Sequence, residues 1–205
     1  MLFRSGREQL DPGASDAFAV ADHQIAHVYV ARPELVGEVA QMLRSLPGVE
    51  QVLDEEGKRA AGLDHPRSGE LIAISDARSW FTYYHFLDDD HAPDYARTVD
   101  IHRKPGYDPV ELFVDPKLRV PKLRIAARLA QKALGIRYLM DVISLDATLV
   151  RGSHGRPTDR PEVGPLFITS MPDLVSTGPV AAGEVKSLLL EHIFGAVKPV
   201  ADKTA

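Results

Sequence analysis

One histidine stands out for chemistry. His154 lies in Leu149-Val-Arg-Gly-Ser-His-Gly-Arg156, between a serine and a glycine and ahead of the apolar run in Gly164-Pro-Leu-Phe-Ile-Thr169, which reads as a strand. Glycines at 152 and 155 let the backbone turn tightly and come close to neighbours, so the imidazole is expected on an exposed turn, pointing into an open concavity. A neutral imidazole in that position suits zinc, although a lone surface histidine can equally do nothing. A second concentration of polar chemistry is Arg97-Thr-Val-Asp-Ile-His-Arg-Lys-Pro-Gly-Tyr-Asp-Pro109. Asp100 and His102 alternate, so an extended chain turns both side chains to one face. Asp100, His102 and Tyr107 are the candidate substrate-binding residues, and with Asp108 the same groups could hold a cation or a phosphate. Hydrogen-bonding the loop to the body of the domain is the competing role. Ser153 adjoins His154, but a nucleophilic serine needs a positioned base and an oxyanion pocket, and the sequence has no Gly-x-Ser-x-Gly elbow. No catalytic residue is assigned.

These residues must be positioned by a chain that alternates strand and helix. Ala17–Asp22 and Ile25–Val30 read as short strands rich in Val, Ile and aromatics, with Asp22-His23-Gln24 between them. His27, within the second strand, reads as a packed or edge histidine. Pro33 opens a helix in which Leu35, Val39, Met42, Leu43 and Leu46 recur at helical spacing, and Pro47-Gly48 stops it. Val49–Leu53 and Leu71–Ser75 read as strands, and together with the helix they resemble a compact ferredoxin-like unit. Ser79–Phe86, the most aromatic stretch, reads as a core strand or as a wall for stacking substrate. The long segment 88–116, with prolines at 93, 105, 109 and 116, argues against regular structure and for a functional loop. Further helices are expected over 121–134 and 183–194, each followed by glycine.

Composition narrows the classes. A formal charge of −5 argues against a dedicated nucleic-acid binder, and 44% hydrophobic residues suffice for a packed core. The local basic cluster Lys117-Leu-Arg-Val-Pro-Lys-Leu-Arg124 reads as a solvated helix face or as a phosphate-attracting patch. With no cysteine, neither a disulfide scaffold nor a thiolate metal site is possible. No run approaches the roughly 18 apolar residues of a membrane span. Met1-Leu-Phe-Arg4 gives way to polar residues without an apolar core, so as written the chain is expected to be cytoplasmic, the compartment of a longer parent staying open.

Gly152-Ser-His154-Gly155 followed by Pro165-Leu-Phe-Ile168 resembles the last metal-ligand motif of the type I phosphodiesterase/nucleotide pyrophosphatase family, in the alkaline phosphatase superfamily. Arg67-Ser-Gly-Glu-Leu-Ile-Ala-Ile74 resembles the strand that precedes that turn, and Ala181–Leu190 resembles the helix that closes these domains. The three occur in family order and span roughly residues 17 to 195. The resemblance implies an α/β fold: the C-terminal portion of an alkaline phosphatase-like sandwich, a mixed sheet flanked by helices 33–46, 121–134 and 183–194, with a small α+β cap-like insertion. It implies one partial domain over 1–205, a family-variable insertion over 76–148 and a frayed tail over 198–205. It also implies a site of two divalent metal ions, zinc in type, with His154 as one ligand, acting on phosphate esters or nucleotides. The family's nucleophile, its Asp-Gly-x-x-x-His segment and its Ser-Asp-His-Gly segment have no counterpart here. Asp22-His23-Gln24 looks like the Asp-His pair, but no glycine follows, and by order it matches a later strand. The expectation is therefore the C-terminal part of a hydrolase that is inactive by itself, binds metal weakly or not at all, and self-associates through its exposed half-domain surface. A stand-alone, non-catalytic α/β binding module is the alternative.

Overall fold

Alternation of large and small side chains along Ile25-Ala-His-Val-Tyr-Val30 turns Ala26, Val28 and Val30 inward, and that strand lies inside the main sheet. A computed structural model describes residues 2–4, 6–99, 109–158, 160–175 and 178–195. Its contacts divide the chain into two compact units, Met1–Arg156 and Pro157–Ala205. The first unit begins with a small antiparallel hairpin, β1 (Leu2–Arg4) and β2 (Arg7–Gln9). Its main sheet contains β3 (Ala17–Asp22), β4 (Ile25–Val30), β5 (Val49–Leu53) and β6 (Leu71–Ser75), in the spatial order β3-β4-β6-β5.

Every pairing in this sheet is antiparallel, which corrects the expected mixed sheet. The reason lies in β6. It inserts between β4 and β5, so the β4–helix–β5 crossover leaves its two strands parallel but not adjacent, the split βαβ arrangement. All five β6 residues are buried, as expected of a strand covered on both faces. On one face, α1 (Val36–Ser45) packs Val36, Val39 and Leu43, with Leu35 just ahead of it, against Val28, Val30 and Leu71. A short 3₁₀ turn at Pro33–Leu35 leads into α1, where the fixed φ of proline costs nothing at a helix start. A further helix that the spacing does not announce, α2 (Glu55–Ala60), starts where Asp54 accepts a hydrogen bond from the Gly57 backbone N–H at 3.0 Å.

On the same face, beside α1 and toward the start of β4, lies Trp80–Phe86. It packs there without joining a ladder, which corrects the core-strand reading. Phe81 and Tyr83 cover Ala21, Ala26 and Ala73, and the small alanines leave room for the rings to lie against the sheet. Tyr84 and Phe86 stack at 5.0 Å and cover Ala92, Ala96 and Leu145. Arg67-Ser-Gly-Glu70 also has a local cause. A Cβ at Gly69 would lie 2.5 Å from the Val28 carbonyl oxygen, while Glu70 accepts a hydrogen bond from the Val30 N–H at 2.8 Å. His27 is packed as expected: its Nδ1 accepts from the Gly69 N–H at 3.2 Å.

Beyond the sheet, α3 (Pro121–Ala133) ends near the expected Gly135, whose φ is +70°. The apolar run 142–145 is buried and makes one isolated bridge, Val114 to Ile143. In the second unit, α4 (Val185–Phe194) follows a 3₁₀ turn at Ala182–Glu184 and closes at Gly195, matching the expected 183–194 helix. Gly164–Thr169, read as a strand, pairs with no partner among the described residues, and Leu166 and Ile168 are exposed. Apolar composition favoured a strand there, but a strand needs a ladder for its backbone groups.

Candidate functional site

Two turns far apart in sequence meet at one edge of the sheet. The first is the two-residue connection His23-Gln24 between β3 and β4. His23 has φ +59°, the only positive value at a non-glycine residue among those described, and Gln24 does not share it. A positive φ at the first central position alone is the pattern of a type II′ hairpin turn, where glycine is preferred. A histidine there carries backbone strain, and such strain concentrates at functional sites. The second turn is Ser153-His154-Gly155. Gln24 N–H donates to the His154 carbonyl at 2.8 Å, fastening the two together.

Gly155 makes this approach possible. Its φ is +111°, and an added Cβ would lie 3.2 Å from Ile25 Cγ2 and 3.3 Å from the Asp22 carbonyl oxygen. Immediately beyond, Arg156 forms a two-pronged ion pair with Glu50 on β5, Nε to Oε2 at 2.5 Å and Nη2 to Oε1 at 2.9 Å. The arginine side chain is only 10% exposed, so this pair clamps the His154 turn to the sheet more firmly than a solvent-facing pair would. The hairpin is held from its other side as well. The Phe81 N–H donates to the His23 carbonyl at 2.7 Å, and Gln24 Nε2 donates to the carbonyls of Asp76 and Ser79, each at 3.2 Å. The N–H of Arg78 holds the Asp76 carboxyl below its ordinary range.

Three potential ligands converge between the turns. Asp22, His23 and His154 each offer an atom, all within 4.8 Å of one another. His23 Nε2 lies 3.9 Å from Asp22 Oδ1, and the His23 and His154 rings face each other with centroids 4.0 Å apart and planes tilted by 33°. His23 is largely enclosed, 13% exposed, whereas Asp22 is 67% exposed. His154 is exposed, as its glycine-flanked turn implies, but its ring lies against His23. Ser153 Oγ lies 3.0 Å from His23 Nδ1.

Two imidazoles and a carboxylate are a donor set that fits a divalent cation of the zinc type. Around a tetrahedral zinc with ligand bonds of about 2.0–2.1 Å, ligand atoms stand roughly 3.3 Å apart. The 3.9 Å separation of His23 from Asp22, and the 4.8 Å limit for the set, exceed that by side-chain-sized adjustments. Three protein ligands also leave a coordination position for water or substrate, as catalytic zinc sites do.

Asp100, His102 and Tyr107, together with Asp108, lie outside the described residues. Asp22 and His23 carry no motif signal of their own, because Gln24 and not glycine follows the histidine. A histidine at the first position of a two-residue hairpin loop, where glycine is favoured, was the available signal. Near the aromatic cover of the sheet, burial lowers the pKa of His85, which lines a cavity of about 350 Å³ with Trp80, Thr82 and the floor residues Ala19 and Ala21. No helix among the described residues is long and apolar enough to cross a membrane. Comparisons with family models, with curated proteins and with solved structures returned no match.

Proposed function

We propose that this chain supplies the His154-bearing part of a metal-dependent phosphodiesterase or nucleotide pyrophosphatase-like hydrolase, and that its sheet and helices are a portion of the alkaline phosphatase-like sandwich. One observation carries the reading: Asp22, His23 and His154, from turns separated by most of the first unit, bring their ligand atoms within 4.8 Å of one another. That convergence sits on the histidine whose Gly-Ser-His-Gly setting resembles the family's last metal ligand.

When bound, divalent cations would polarise the phosphoryl oxygens of a phosphate ester or nucleotide and stabilise the leaving oxygen. The chain's own residues divide the remaining work. His154 and Asp22 are exposed, so both can be reached from solvent. His23 sits behind them, held by its turn. Ser153 is engaged beside the His23 ring, and the reading gives it no nucleophilic role. The nucleophile and the ligands of a second cation come, in this reading, from polypeptide outside the present sequence.

The test is an activity comparison with bis-p-nitrophenyl phosphate and added zinc or manganese. The 205-residue chain alone is expected to give no turnover above buffer, because phosphoryl transfer depends on holding nucleophile and metals together. A polypeptide extended upstream in the same reading frame is expected to turn over, and His154→Ala in that longer protein is expected to abolish the reaction. Turnover by the short chain, lost on His154→Ala, would place the whole site within these residues and overturn the partial-domain reading.

A further inference from the structure

The His23 ring has two nitrogens, and only one can serve a cation shared with Asp22 and His154. Nε2 is the nitrogen on the Asp22 side, 3.9 Å from Oδ1. Nδ1 is the nitrogen on the Ser153 side, 3.0 Å from Oγ. In a neutral imidazole one nitrogen carries the hydrogen and the other a lone pair, so whatever fixes the hydrogen on Nδ1 frees the Nε2 lone pair. A hydroxyl can accept that hydrogen, and it keeps its own O–H for another acceptor.

We infer that Ser153 is a positioning residue: it accepts a hydrogen bond from His23 Nδ1–H, sets the tautomer of His23, and so directs Nε2 at the space between Asp22 and His154. The inference rests on the cation site proposed above. The backbone leaves His23 little freedom to find another arrangement. Its φ is +59°, its carbonyl accepts from the Phe81 N–H at 2.7 Å, and its ring is wedged against that of His154 at 4.0 Å. Ser153 is fixed from its own side, because the next residue's carbonyl accepts from Gln24 and Arg156 is clamped to Glu50. The hydroxyl and the ring therefore meet because two separately anchored turns meet. An outer hydrogen bond of this kind orients a ligating histidine and raises its basicity, and its loss costs about 10- to 100-fold in metal affinity.

The experiment uses the full 205-residue chain. Long-range proton–nitrogen correlation spectra of histidine-labelled protein report which ring nitrogen of His23 is protonated, without any metal, and zinc titration by calorimetry reports affinity. The wild type is expected to show His23 as the Nδ1–H tautomer. Ser153→Ala is expected to shift His23 toward Nε2–H and to weaken zinc by about 10- to 100-fold, with Ser153→Thr restoring both. A purely structural role for the hydroxyl would change thermal stability and leave the tautomer where it was. Finding Nε2–H in the wild type, or an unchanged tautomer and zinc affinity in Ser153→Ala, overturns the inference. Should the tautomer behave as expected while the wild type binds no zinc, the role of Ser153 in setting the ring stands, and the cation reading of the site falls instead.

Discussion

At the scale of single residues, the site depends on positions where the backbone does something unusual. Gly155 combines a φ of +111° with neighbours that an added Cβ would touch at 3.2–3.3 Å. Replacing it by alanine is expected to destabilise the chain by roughly 1–3 kcal/mol and to weaken zinc binding, because the His154 carbonyl must then move away from Gln24. Gly152, two residues before His154, is the control. It has open space around its Cβ position and a backbone that other residues adopt, so Gly152→Ala is expected to be neutral or to stabilise by about 0.4–1 kcal/mol through the unfolded chain. Thermal denaturation of the two variants side by side checks both. A comparable loss in each would mean that general stiffening of the loop matters, not the contact with Ile25 and Asp22. The neighbourhood of His23 was legible as a hairpin, since two strands separated by His23-Gln24 could be read from the sequence. Its role was not, because nothing local says which distant turn will be delivered to it.

At the scale of elements, α3 is attached by its charged side. Pro121, Ile125, Arg128 and Gln131 form its half-buried side, while Leu123, Ala127, Ala130 and Leu134 are exposed, and none of its residues is buried. Asp141 receives Arg128 Nε at 2.8 Å and Nη2 at 3.0 Å, together with the Arg124 guanidinium. Burial pushes the Asp141 pKa up, but the hydrogen bonds from Arg128 and Arg124 outweigh it and bring it down to about 2. A depressed carboxylate stabilises the fold above its unfolded pKa near 3.8, and that contribution is lost as pH falls toward about 2. Allowing for solvent screening, Asp141→Asn is expected to cost on the order of 1 kcal/mol at pH 7, with the gap closing between pH 4 and pH 2. Urea denaturation across that range measures it; a constant gap would assign the loss to packing. By contrast, Leu71 on β6 is fully buried, and Leu71→Ala is expected to cost about 2–5 kcal/mol. Leu134→Gln, at a residue 74% exposed, should change stability by less than about 0.5 kcal/mol.

At the scale of the whole molecule, both units leave apolar helix residues uncovered. Leu123 and Leu134 on and beside α3 are exposed, as are Leu189, Ile193 and Phe194 on α4. Exposed apolar surface of this kind marks interfaces or drives association. Sedimentation velocity of the purified chain is expected to show concentration-dependent association, and Leu134→Gln with Ile193→Gln is expected to diminish it without lowering thermal stability. A strictly monomeric chain at high concentration would show that these faces are tolerated in water, and would remove the physical motive for expecting a covering partner.

The strands of the main sheet, the helix after Pro33, α3 and α4 were written into the sequence, because hydrophobic period, proline and glycine act within a few residues of where they stand. Those same rules overread Ser79–Phe86 and Gly164–Thr169, where apolar composition was right but no ladder partner was there to make a strand. They also could not foresee the antiparallel order, which follows from β6 entering between β4 and β5. His154 was legible as a candidate ligand from its glycine-flanked turn. Its companions were not: Asp22 and His23 stand more than half the chain away, and only a sheet edge, a glycine without a side chain and the Arg156–Glu50 clamp bring them to it. A turn is decided by the torsions of its own residues, whereas a ligand set is decided by distances through space, which the chain acquires only when its strands pair.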